Sequence, residues 1–193
     1  MSNEESAGLH LDERALRVLA HPLRARLLSR LRVKGPATAT ELAAALETNT
    51  GATSYHLREL EGVGLVADTG EGEGRRRLWK AATAFHSWDN SAYPDSPEAR
   101  AAIGWLSRHY GALFTSQMQA WQDAAELWPD EWVDVAGLGD TLVTVTPEQA
   151  KSLKAELDAV LERYRDAGEG DPSAVQTQVH VHLVPLDPLN PPA

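Results

Sequence analysis

The 193-residue chain contains no cysteine, which excludes disulfide bridges, thiolate zinc sites and cysteine nucleophiles together. It also lacks any apolar run near the ~20 residues that a membrane-spanning helix needs. Its first residues, MSNEESAG, are acidic and polar where a signal peptide would be basic and then apolar. A soluble cytoplasmic protein is therefore expected. Positive charge is scarce in the second half. Residues 81–193 hold 6 Lys/Arg against 17 Asp/Glu, whereas residues 1–80 hold 12 against 11. Such acidity argues against a chain built wholly for phosphate contact, and it leaves room for a basic surface in the first half. No nucleophile–base grouping and no phosphate loop appears, so the sequence does not read as an enzyme and implies no cofactor.

What is present reads first as helix. Leu11, Ala15, Leu16 and Leu19 share one helical face, and the residue before Pro22 is pushed out of helical angles. Pro22 suits the first turn of a second helix with Leu23, Leu27, Leu28 and Leu31 as its buried stripe, ended by Gly35-Pro36. Thr38-Ala39-Thr40-Glu41 is a capping box that opens a third helix through Leu42 and Leu46. After a short turn, Asn49 is a good N-cap for a fourth helix over 50–63, stopped by a left-handed Gly64 with Leu65 folding back. Two short helices joined by a tight turn make a helix-turn-helix. Strand-like runs at 65–69 and 75–81, separated by GEGEG, predict a hairpin, and the two motifs together predict a winged helix over 9–86.

The fourth helix has an unusual outer face. Thr53, Leu57 and Leu60 form its buried stripe, which leaves Thr50, Gly51, Ser54, Tyr55 and Arg58 pointing away from the core. Small and hydroxyl-bearing residues at a helix N-terminus allow close approach to another surface, and hydroxyls can meet base edges. A helix-turn-helix presents this end of its second helix to the major groove. Thr38, at the cap of the preceding helix, joins the candidate set. Arg75, Arg76, Arg77 and Lys80 on the second wing strand suit phosphate contact, while Glu71 and Glu73 at the wing tip suit an ordinary solvated face.

The segment HPLRARLLSRLRVKGPATATELAAALETNTGATSYHLRELEGVGLV resembles the winged-helix core of ArsR-type transcriptional regulators, with the match spanning about residues 12–85. The resemblance implies a homodimeric repressor released from its operator by a ligand, with Thr50, Gly51, Ser54, Tyr55 and Arg58 facing DNA. It does not imply metal sensing. The cysteine pair that metal-sensing members carry is replaced by Leu42-Ala43-Ala44-Ala45-Leu46, and His109 stands alone where a terminal-helix site needs several ligands.

Beyond the linker at 87–97, a long helix is expected over 97–128. Ile103, Leu106, Tyr110, Leu113, Gln117, Ala120 and Ala124 follow the 3-and-4 spacing of a packing seam, which suits a dimerisation helix. Residues 129–185 then read as a small strand–helix–strand unit, an effector or dimerisation region. Its parts are TLVTV at 141–145, a helix opened by the Thr146–Gln149 capping box, and the alternating VQTQVHVHLV; the tail is 186–193. The fold class is mainly α with an α+β C-terminal region. His180 and His182 share one strand face but are too few for a metal site, and none is expected. All six tryptophans follow the helix-turn-helix, which suits either an effector pocket or core packing. Two functional readings stand: a double-stranded-DNA-binding regulator, or a winged-helix protein-interaction module that does not touch DNA.

Overall fold

In a computed structural model, which describes residues 8–72 and 76–190, the chain divides into two compact units, 1–113 and 114–193. The first opens with β1 (Leu9–His10) and α1 (Glu13–Leu19), whose N-cap Asp12 accepts a hydrogen bond from the Ala15 amide at 2.7 Å. Pro22 stands at the start of α2 (Pro22–Lys34), and Gly35 ends it with φ 78. The Thr38–Glu41 capping box opens α3 (Ala39–Ala45). Asn49 caps α4 (Thr50–Glu61), accepting from the Ala52 amide at 2.8 Å.

Helix α4 stops two residues earlier than expected, at Glu61. The chain then turns through Gly64 at φ 73, and the Leu65 amide reaches back to the Leu60 carbonyl at 3.0 Å. This six-to-one bond at a left-handed glycine is a Schellman stop, and it drops Leu65 into the core. The wing strands are shorter than expected, β3 (Val66–Asp68) and β4 (Leu78–Ala81). Two-residue strands carry no readable period, so sequence periodicity missed β2 (Ala37–Thr38) and β5 (His86–Ser87). Strand β2 extends the wing into a three-stranded sheet of order β2-β4-β3, and β1 pairs in parallel with β5.

The core lies among α1, α2, α4 and the wing: Leu16, Leu19, Leu27, Leu28, Leu57, Leu60, Leu65 and Trp79 are all buried. The start of the long helix α5 (Pro97–Ala124) belongs to it as well, through Ile103 and Leu106. A 3-10 turn, Ala125–Leu127, continues α5 to the expected stop before Pro129.

The second unit holds the end of α5, then α6 (Asp130–Val135), which the sequence did not predict, and α7 (Pro147–Tyr164). The capping box of α7 is formed, with the Gln149 side chain accepting from the Thr146 amide at 2.9 Å. The runs at 141–145 and 175–184 form no strand ladder, contrary to expectation. Alternation makes a segment competent to pair but supplies no partner, and the valines of both runs lie exposed. Among the described residues of this unit none is buried.

Candidate nucleic-acid interface

The turn between α3 and α4 sets the first edge of the site. Burial of Thr53, Leu57 and Leu60 fixes the rotation of α4, so Thr50, Gly51, Tyr55 and Arg58 are exposed and Ser54 is half-buried. Gly51 is exposed beside the cap. A Cβ there would stand 3.3 Å from the Asn49 carboxamide oxygen, so glycine keeps the cap unstrained and the helix N-terminus open to close approach. Tyr55 is 55% exposed and packs edge-on to His56, with ring centroids 5.1 Å apart.

The second edge is the wing. Thr38, Ala39, Thr40, Thr50, Ser54, Arg58, Arg76, Arg77 and Trp79 line one open groove of about 330 Å³. The groove therefore gathers most of the candidate residues. Gly51, Tyr55 and Lys80 lie outside its lining, and Arg75 lies outside the described residues. Lys80 is half-buried on β4, next to the buried Trp79, from which side chains alternate across the strand.

Several of these side chains already have partners. The Thr38 hydroxyl donates to the Glu41 carboxylate at 2.8 Å and accepts from the Glu41 amide at 3.3 Å, so its first role is the cap. The Thr38 amide and then its hydroxyl hold the Glu41 carboxyl below its usual range, with the Arg76 charge adding to the effect. Arg58 folds back along its helix, its Nε donating to the Ser54 carbonyl at 3.1 Å. Arg77 sits 3.6 Å from Glu61 and 3.4 Å from Asp68, with its guanidinium 5.6 Å from the Trp79 ring centre. It braces the wing against α4. The acids that hold Arg77 lie on α4 and β3, away from it along the chain, so the sequence does not distinguish Arg77 from its neighbouring arginines.

Among the described residues two buried polar atoms of α4 lack the partners that burial calls for, one of them on Thr53 of the expected buried stripe. The Thr53 hydroxyl is fully buried, and neither it nor the His56 Nδ1 finds a partner among the described residues. His56 packs against His21 at 4.5 Å between ring centroids; burial first, and then His21 and Arg24, lower its pKa. Farther from the groove, the Arg32 guanidinium donates to His86 Nδ1 at 2.8 Å, so His86 carries its proton on Nε2 and donates it to the Tyr110 hydroxyl at 3.0 Å. Burial, and then Arg32, depress the His86 pKa to about 3, which keeps the ring neutral in this relay from α2 to α5.

The remaining candidates lie in the second unit. His180 and His182 stack at 6.1 Å, and His180 Nε2 is 2.9 Å from the Gln117 side-chain oxygen. Among the described residues no group of three side chains suited to a metal ion occurs. Trp121, Trp128 and Trp132 form a chain of edge-to-face contacts at 5.6 and 6.1 Å. No helix among the described residues is long and apolar enough to cross a membrane.

Comparison with known proteins finds a helix-turn-helix in this domain. Residues 19–69 match a family described as a helix-turn-helix domain, which covers α2, α3, α4 and β3. The chain also resembles reduced HlyU from Vibrio cholerae at 26% identity over 50% of this chain and 85% of that one, with a TM-score of 0.32. A transcriptional regulator from Thermotoga maritima matches at 14% identity over 78% and 85%, TM-score 0.31. A MarR family regulator from Neisseria meningitidis matches at 18% over 78% and 76%, TM-score 0.29. TM-scores this low establish no shared overall fold, so the class rests on the helix-turn-helix match and the geometry above. No curated protein matches the chain.

Proposed function

We propose that the protein is a sequence-specific, double-stranded-DNA-binding transcriptional regulator that acts as a homodimeric repressor of the ArsR-like kind. Helix α4 enters the major groove with Thr50, Gly51, Ser54 and Tyr55 leading, and Arg76 and Lys80 of the wing meet the backbone. The observation that carries this reading is the groove lined by Thr50, Ser54 and Arg58 of α4 together with Arg76 of the wing. Hydroxyls and cations gathered in one groove suit the two halves of DNA recognition, base edges and phosphates. One helix reads only a few base pairs, which a two-fold dimer doubles with half-sites about one DNA turn apart. Derepression by a small-molecule effector belongs to the same reading.

One observation favours the runner-up, a protein-interaction module. Glu41, Glu61 and Asp68 stand among the arginines and reduce the positive field of the groove. Selection of bound sequences from a random duplex pool separates the two. The regulator reading expects an enriched sequence with two-fold symmetry, and recovery of the unselected pool would leave the interaction module.

A further inference from the structure

The first half of the expected dimer seam on α5 is engaged within its own chain. Ile103 and Leu106 are buried in the core of the first unit, and Tyr110 bonds to His86. Farther along, Gln117 bonds to Gln178 and His180 within the second unit. An apolar stripe at helical spacing stays open on α7. Ala150, Leu153, Leu157, Val160 and Tyr164 recur at spacings of 3 and 4, and Leu161 widens the stripe. None of them is buried: Leu157 is 36% exposed, Val160 39% and Tyr164 71%. Helices of this length draw most of their stability from packing such a face, so the stripe calls for an occupant.

Charge selects the occupant. Residues 114–193 carry 14 acidic and 4 basic side chains; α7 holds 4 of the acids and 3 of the bases, which leaves 10 acids and 1 base elsewhere. Outside α7 a second copy approaching this unit meets mostly like charge, whereas α7 is close to balanced. The charges along α7 are also ordered. Lys151 and Lys154 outnumber Glu148 in its first half, while Glu156, Asp158 and Glu162 outnumber Arg163 in its second. Antiparallel pairing about a two-fold axis sets the basic half of each helix against the acidic half of the other, whereas parallel pairing sets like against like.

We propose that α7 pairs antiparallel with α7 of a second copy, and that this contact closes the homodimer. The proposal rests on the regulator reading only for the use of a dimer, and its test needs no DNA. The full chain sediments as a dimer at micromolar concentration, and Leu157→Glu with Val160→Glu halves that mass while the circular dichroism of the winged helix persists. Because the native chain has no cysteine, single cysteines report orientation without background. On oxidation, Ala150→Cys mixed with Tyr164→Cys gives the mixed cross-linked dimer, and Ala150→Cys alone gives none. A monomeric wild type, a double-glutamate variant that stays dimeric, or self-cross-linking of Ala150→Cys would each overturn the proposal. Dimer formation with failure of the duplex selection would instead sink the regulator reading and leave this contact standing.

Discussion

The two units of the chain are built from similar sequence signals and reach opposite ends. Helix α4 and helix α7 both open on a side-chain cap and both carry an apolar stripe at 3-and-4 spacing. On α4 the stripe of Thr53, Leu57 and Leu60 is fully buried against α1, α2 and the wing; on α7 no residue is buried. The difference teaches that amphipathic periodicity specifies an element and the face it must cover. What covers that face comes from elsewhere in the chain or from another molecule.

The largest effect that sharpens this contrast is in the core. Leu57→Ala or Leu106→Ala should cost about 2–5 kcal/mol of stability, because both are fully buried. Val179→Ala, 59% exposed in the second unit, should stay within about 0.5 kcal/mol. Urea titrations of the three variants measure this, and equal losses in the two units would break the comparison.

A second effect follows from His86, a half-buried residue of the first unit. Its pKa falls from 6.5 to about 3 on folding, so between those values the unfolded chain binds the extra proton. Its contribution is complete above about pH 6.5 and is lost as pH drops towards 3, at up to about 1.4 kcal/mol per pH unit. His86→Phe should flatten that acid slope in melts followed at the winged helix. Tyr110→Phe removes one partner of the relay and should cost about 1 kcal/mol at neutral pH.

The smallest effect is at Thr53, whose buried hydroxyl has no partner among the described residues. Thr53→Val keeps the shape and removes the desolvated oxygen, so it should be neutral or stabilising by about 1 kcal/mol. A loss of more than that in thermal unfolding would mean that the hydroxyl is satisfied in solution.

Local chemistry was legible in the sequence. Asn49, the Thr38–Glu41 and Thr146–Gln149 boxes and Gly64 all act where their residue types placed them, because caps and left-handed stops are decided within four or five residues. The rotation of α4 was legible too, since burial of Thr53, Leu57 and Leu60 turns Thr50, Gly51, Tyr55 and Arg58 away from the core. What stayed hidden depends on distant partners. Arg77 is held by Glu61 and Asp68, His86 links α2 to α5, and the Ile103 and Leu106 side of α5 belongs to its own core. The runs at 141–145 and 175–184 misled for the same reason, because alternation says nothing of whether a neighbouring strand exists.

The central claim is that the outer face of α4 reads bases while the wing holds the backbone. It is tested most directly by the salt dependence of binding to a selected duplex and to a random one, for wild type, Arg76→Ala and Ser54→Ala. The account predicts that Arg76→Ala weakens both duplexes alike and lowers the salt slope by about 1. It predicts that Ser54→Ala leaves the slope unchanged and costs about 1–3 kcal/mol on the selected duplex only, where a base contact is lost. Equal losses on both duplexes from both substitutions, or no salt-dependent binding by the wild type, would contradict it.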